Sequence, residues 1–453
     1  MKHNLRGLLC AAGLTAALGT AALGTAALAA PVSDISIKLN GQPLTFTDAV
    51  PQIVHNRTYL PFRTVFVALG FADEDITYDG EAKKVTAAGD DVTISMVIGE
   101  NRISVTRDGE TQIVETDAPA FIDPTVNRTL VPARFISEAA GYDVGWDGES
   151  RTVLIDDVEA ILAANQETYQ VLDLYLDYIR KFQSKNQQIQ GEFVSAVATT
   201  EDSYALGGGY EMLIKQGSTF DFAMDLRLSG EMDGQQLEML IPEGLDLELR
   251  GDLTDGVVYF RADMLTNLLG EGDSNLWFKL QMPEQSTNDS WTGLLQVDAE
   301  SEQLKGKDYV EYLMRTHAKE DPTTSMADRL AAFNAMMGDR AFEKKGNDYV
   351  AEFEQEGTAG SVTVTTSHGK ANGWGVSIYS NGVGEELRMQ MVMKDQKLQL
   401  AYQQIAEGST VEMMLNGTYT AVKQEPQGVP GEDAAILDLK ELAGAALPDI
   451  EMK

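Results

Sequence analysis

The chain has 453 residues, 43% hydrophobic and 8% aromatic, which supports folded cores and excludes a polytopic membrane protein or a largely disordered chain. Lys and Arg total 35 against 70 Asp and Glu, a formal net charge of -35, which excludes a nucleic-acid partner because that needs a basic surface to displace counterions from phosphate. At roughly 150 residues per domain, the length allows about three domains.

Lys2 and Arg6 precede an apolar, Ala-rich run from Leu8 to about Ala30 built on Gly-Thr-Ala-Ala-Leu units. With small residues at Ala27 and Ala29, this predicts a secretory signal peptide over residues 1–29; an uncleaved N-terminal anchor is the alternative. The one cysteine, Cys10, lies inside that segment, so the mature chain is expected to lack disulfides, thiolate metal sites and a cysteine nucleophile. No second apolar run of spanning length follows. The expected location is secreted or on the cell envelope, and the cysteine usage suits a Gram-positive bacterium.

Residues 33–156 contain a repeat. Asn56-Arg57-Thr58-Tyr59-Leu60-Pro61-Phe62-Arg63 recurs 71 positions later as Asn127-Arg128-Thr129-Leu130-Val131-Pro132-Ala133-Arg134, and each copy runs on to a glycine, Gly70 and Gly141. Upstream, Asn40-Gly41 matches Asp108-Gly109; downstream, Tyr78-Asp79-Gly80 matches Trp146-Asp147-Gly148, both at a spacing of 68. Each copy predicts a hairpin at Asn-Gly or Asp-Gly, a short helix after proline capped by glycine, and a closing hairpin around Asp-Gly. The expectation is one small sheet wrapped on one helix in each copy.

This doubled motif resembles the copper amine oxidase N-terminal domain repeat of secreted Firmicutes proteins. The resemblance implies a stalk or docking module outside a catalytic part, with neither copper nor oxidation. The mature histidines, His55, His317 and His368, are far apart in sequence and make no copper cluster, so no cofactor or metal is expected. Arg63 and Arg134, at equivalent helix starts, are candidates to hold an anionic wall polymer or carboxylate through a guanidinium fork. The alternative is an ion pair with an acid of the same repeat, such as Asp79 or Asp147. Arg57 and Arg128 carry the same two readings in turn-like Asn-Arg-Thr contexts.

Beyond the repeat, apolar residues from Val158 to Ile179 at three- and four-residue steps predict an amphipathic linker helix within 157–190. Period-two alternation then takes over across 191–445, as in Phe220, Phe222, Met224, Leu226 and Leu228. A helical insert over 307–337, breaking at Pro322 and Thr323, divides the strands. The expected class is α+β: tandem small sheet-plus-helix repeats, a long helix, then a large, curved antiparallel sheet with a helical insert.

That sheet loosely resembles the half-barrels of lipoprotein carriers, a likeness resting on fold alone. It makes Trp277 and Phe278 candidates for an apolar ligand. Met389, Met391 and Met393 on one strand face read as core. Pro426–Asp433 reads as a flexible tail before a last short helix near Leu437–Leu442. No Gly-x-Ser-x-Gly, His-Glu-x-x-His, P-loop or Rossmann fingerprint is present, so the chain is expected not to be an enzyme. The reading is a non-enzymatic envelope protein with a docking module and a β-rich binding domain. Its partner is a cell-wall component, an apolar ligand or another envelope protein. The alternatives are an extracellular Asp/Glu-dependent hydrolase, marked by a close pair of buried carboxylates, and a purely structural stalk.

Overall fold

The computed structural model describes residues 35–46, 49–183, 185–215, 219–232, 234–239, 244–252, 256–262, 275–281, 301, 303–355, 357–382, 384–406 and 408–439. The expected signal peptide lies outside them. The fold is α+β and mostly strand. The helices described are α1 (Phe62–Ala68), α2 (Ala133–Ala140), α3 (Val158–Ala164), α4 (Gln170–Gln183), α5 (Gly306–Glu320) and α6 (Met326–Met337). Contacts divide the chain into two compact units. One holds the repeats up to Gln166 together with Asp308–Phe333; the other holds Glu167–Lys307 and the chain from Asn334 onward. The insert, read from sequence within the β-rich domain, thus groups over Asp308–Phe333 with the repeats.

In the repeat unit the turn chemistry works as the residues dictate. Asn40 and Gly41 have φ of 50° and 76°, and Asp108 and Gly109 have 51° and 81°, the two positive values that a type I′ hairpin needs. The closing hairpins differ from expectation. Asp79 Oδ1 accepts from the backbone N–H of Glu81 and Ala82, and Asp147 Oδ1 from Glu149 and Ser150, so each aspartate opens an Asx turn within a four-residue loop. Both repeat helices end in the same glycine cap. Gly70 and Gly141 sit at φ of 92° and 97°, and the next residues, Phe71 and Tyr142, donate back to the Phe66 and Ser137 carbonyls.

The two copies interlock instead of forming one sheet each. Arg57–Pro61 pairs antiparallel with Arg128–Pro132, Leu60 opposite Val131, so each copy's Asn-Arg-Thr motif runs toward the other copy's helix start. Ser36–Leu39 of the first copy pairs in parallel with Thr152–Asp156 of the second. The closing hairpin of the first copy joins Val92–Val97 and the second copy's opening hairpin in a five-stranded sheet. Separate copies would each leave an apolar strand face open; interlocking buries Leu60, Phe66, Ile94, Val131, Ile136 and Ile155 completely in one core.

The second unit is built on one 15-stranded sheet, running from Phe342–Lys345 at one edge to Ala435–Asp438 at the other. All its pairings are antiparallel except the last, Leu276–Gln281 with Ala435–Asp438. Leu437 and Asp438 therefore belong to a strand where a helix was expected, and residues after 439 lie outside those described. A line of glycines crosses the middle strands. A Cβ on Gly191 would lie 1.8 Å from the Asn416 carbonyl oxygen, and one on Gly208 would lie 1.7 Å from that of Asp225, so these backbones approach too closely for any side chain. The ladder between Ser203–Lys215 and Thr219–Met232 is interrupted at Gly208 and Gly209.

The expected linker helix is two helices. Between Ala164 and Gln170 the polar run Asn165-Gln166-Glu167-Thr168 offers no apolar anchor, and the chain is extended there. α4 then starts afresh, its first N–H groups at Gln170 and Val171 bonded to the Asp339 carboxylate at 3.0 and 2.9 Å. Buried Val171, Leu172, Tyr175 and Leu176 turn its apolar stripe onto the sheet, with Tyr175 edge-on to Trp374 at 5.5 Å and the Tyr178 and Tyr419 hydroxyls hydrogen-bonded. The segment read as a flexible tail is tied down. Gln427 and Gly428 donate to the two Asp221 carboxylate oxygens at 2.8 and 2.9 Å, and Pro426, Gly428 and Pro430 are buried.

Candidate functional site

Two concave surfaces stand out, one in each unit. In the repeat unit a cleft of about 490 Å³ gathers Arg57 and Asn56 from one copy with Arg134, Phe135 and Trp146 from the other, together with Asp117. Cross-copy strand pairing creates it, since Arg57 and Arg134 are 77 positions apart in sequence. Arg57 is committed: its Nε donates to Asp117 Oδ2 at 2.6 Å and its Nη1 to the Asn56 carbonyl at 3.1 Å. Asp117 in return raises the guanidinium pKa above its ordinary value. Arg134 is different. Its ionic contact among the described residues is Glu138 at 3.9 Å, one turn along α2, and its side chain is 61% exposed.

Arg63, the counterpart of Arg134, is fully engaged. It donates to the Asp73 carboxylate at 2.7 Å and to the Asp73 and Ile76 carbonyls at 2.8 and 2.9 Å. The acid is Asp73 and not the expected Asp79, whose carboxylate is used in its own turn. Spacing explains the asymmetry. Seven residues separate Gly70 from Tyr78, but four separate Gly141 from Trp146, so the second copy lacks the segment that carries Asp73. Arg128, the counterpart of Arg57, donates to the Asn127 carbonyl at 3.2 Å.

Trp146 is held by the connection between α5 and α6. Its backbone N–H donates to the Pro322 carbonyl at 3.0 Å, and Gly145 beside it admits that carbonyl at a place where a Cβ would lie 2.1 Å away.

In the sheet unit an open trough of about 950 Å³ runs across six strands between Asp348–Gln355 and Ser409–Val422. Register orders its lining into three consecutive cross-strand rows. One complete cross-strand row, Glu352, Ser361, Ser377, Gln390, Ala401 and Met414, lines it, and so does the next row outward through Tyr379, Arg388, Gln403 and Glu412. The row between them, Phe353, Gly360, Ile378, Met389, Tyr402 and Met413, also contributes to the lining, its side chains alternating to the other face. The methionine stripe, Met389, Met391 and Met393, packs beside Tyr402, Leu400 and Leu398. In the first of these rows Met414 is 56% exposed, with Val194 directly opposite it on the next strand at 44%. Arg388 stands over the Tyr379 ring at 5.5 Å.

Trp277 and Phe278 lie in neither concavity. Trp277 is 2% exposed, with the Arg250 and Arg261 guanidinium carbons 4.9 and 5.5 Å from its ring centroid; Phe278 is 3% exposed and stacks on Phe260. Adjacent strand residues face opposite ways, so both faces of the sheet are covered here. His55 and His368 occupy tight turns at φ of 51° and 53°. Among the described residues the buried acids are Asp123 and Asp156, both in the repeat unit. Asp123 is held below the usual carboxylate range by bonds from the Thr125 hydroxyl, the Gln52 amide and the Thr125 backbone. The trough's Glu352, Glu354 and Glu412 are exposed.

Sequence reasoning missed Asp117 and the roles of Trp146, Tyr379, Arg388 and Met414. Trp146 was visible as the aromatic residue of the second aromatic-Asp-Gly motif, where the first copy has Tyr78. Met414 and Tyr379 carried a fainter signal, as large apolar or aromatic residues out of phase with the inward alternation of their strands.

Residues 38–155 match the family model described as the copper amine oxidase N-terminal domain. Among solved structures, the crystal structure of a DUF1329 family protein from Desulfovibrio piger ATCC 29098 is similar over 55% of this chain and 90% of that chain, at 9% identity and a TM-score of 0.22. No curated protein matches the chain.

Proposed function

We propose that this chain is an exported, non-enzymatic protein of the cell envelope, in which the repeat unit serves for docking and the large sheet binds an elongated amphipathic ligand. The carrying observation is the open trough, whose lining sets Met414, Tyr379 and Ala401 among Glu, Gln, Ser and Arg, with exposed Val194 paired to Met414 just beyond it. Apolar side chains left together in water mark contact surfaces, and the neighbouring Arg388 and glutamates supply polar ends for an amphiphile. The sheet face beneath α4 is less suited to a carrier's cavity, because Tyr175, Tyr178 and Leu176 already fill it.

A hydrolase acting through two carboxylates would use a close buried pair in a cleft. The acids along the trough are solvated, which supports the binding role. The alanine-rich N-terminal run supports export, and the match over residues 38–155 supports an accessory, docking role for the repeat unit.

The test is a titration of the full chain with a fluorescent single-chain amphiphile, using Met414→Lys as the variant. Saturable binding weakened at least tenfold by that substitution is expected. Equal binding by wild type and variant, or none by wild type, contradicts the reading.

A further inference from the structure

The cleft between the two repeat copies carries an inference independent of the trough. Both copies carry an arginine at the helix start, yet of the two only Arg63 is hydrogen-bonded to a carboxylate among the described residues, that of Asp73, on a segment that the second copy lacks. Arg134 is left with Glu138 at 3.9 Å, too far for a hydrogen bond, at the wall of a cleft that also holds Trp146. A guanidinium fork binds a carboxylate through two parallel N–H donors, and an indole offers a broad apolar face. Asn56 adds amide donor and acceptor capacity. Asp117, already bonded to Arg57, adds acceptor lone pairs and a negative charge that disfavours a second acid nearby.

We propose that Arg134, Trp146 and Asn56 form a binding site for a carboxylated sugar unit. The carboxylate takes the place beside Arg134 that Asp73 occupies beside Arg63, the pyranose ring lies against the Trp146 indole, and ring hydroxyls bond to Asn56 and Asp117. The occupant is a sugar bearing one acid per ring. Such a unit meets all four groups at once, whereas a bare anion would leave the indole and the amide unused.

Calorimetric titration of the full chain with tri-galacturonic acid, in buffer of physiological ionic strength, tests this. Saturable binding is expected, at least tenfold weaker for the methyl-esterified trisaccharide. Arg134→Gln should lose at least tenfold in affinity without moving the unfolding midpoint, and Arg134→Lys should lose less because it keeps the charge but not the fork. Arg63→Gln and Met414→Lys should leave the affinity unchanged, which separates this site from the trough. Absence of saturable binding, equal affinity for acid and ester, or an unaltered Arg134→Gln variant each overturns the proposal.

Discussion

Leu60 and Val131, equivalent residues of the two copies, are each other's direct partner across the antiparallel strands Arg57–Pro61 and Arg128–Pro132, and both are wholly buried. The pair sits on the approximate dyad of the repeat unit, so neither copy completes its core without the other. Leu60→Ala should therefore destabilise the whole repeat unit by about 2–5 kcal/mol, whereas Val67→Ala, on the exposed face of α1, should stay within about 0.5 kcal/mol. Chemical denaturation of the full chain, followed by a probe in the repeat unit, measures both.

Arg63 and Arg134 should separate in stability as they do in geometry. Arg63→Met removes three hydrogen bonds that hold the loop from Asp73 to Ile76, and a loss of about 1–2 kcal/mol is expected after allowance for their solvent exposure. Arg134→Met removes only a long i,i+4 contact and should be close to neutral. Equal losses from the two substitutions would show that the copies are not asymmetric in this way.

Burial pushes Asp156 up from 3.8 to about 6, helped by the nearby Asp328 and Asp143 and opposed by the Met326 backbone N–H and by Arg329. A carboxyl with a raised folded-state pKa holds its proton more tightly when folded, so its contribution to stability is greatest at low pH and falls as pH rises from about 4 to about 6. Relative to Asp156→Asn, which retains an acceptor for the Met326 N–H, the wild type should lose on the order of 3 kcal/mol across that window. Denaturation midpoints of the two proteins at pH 3.5 and pH 7 give the difference; parallel pH profiles would contradict it.

The glycine line in the sheet predicts intolerance at a position that looks innocuous in sequence. Gly191→Ala would force a Cβ to 1.8 Å from the Asn416 oxygen, and Gly417→Ala would place one 2.3 Å from the Tyr210 hydroxyl. Backbone must move in the first case and a side chain in the second, so Gly191→Ala should cost at least about 3 kcal/mol and Gly417→Ala less. Comparing thermal midpoints of the two variants checks the order.

Local chemistry was legible in the sequence wherever a single turn or strand decides it. Asn40-Gly41 and Asp108-Gly109 form the expected hairpins, and Phe220 to Leu228 alternate as their spacing requires. What depends on distant partners was not. Nothing in Arg57–Pro61 says that its neighbour is the other copy's motif, because both pairings satisfy the same alternation. The new helix start at Gln170 is held by Asp339, and the tail is fixed by Asp221, both far away in sequence. Of the candidate site residues, Arg57 and Arg134 meet in one cleft; Arg63 is occupied, and Trp277 and Phe278 are buried in the sheet. Trp277 and Phe278 read as candidates for an apolar ligand on the loose likeness to lipoprotein carriers, and the cover from Arg250 and Arg261 has no sequence signature.

The most direct measurement of the central claim, a binding sheet on an exported protein, is native mass spectrometry with solvent extraction on the chain purified from an exporting host. The account predicts an amphipathic molecule bound to the wild type and absent from Met414→Lys. A wild-type protein that emerges bare, and takes up no amphiphile when offered one, would contradict it.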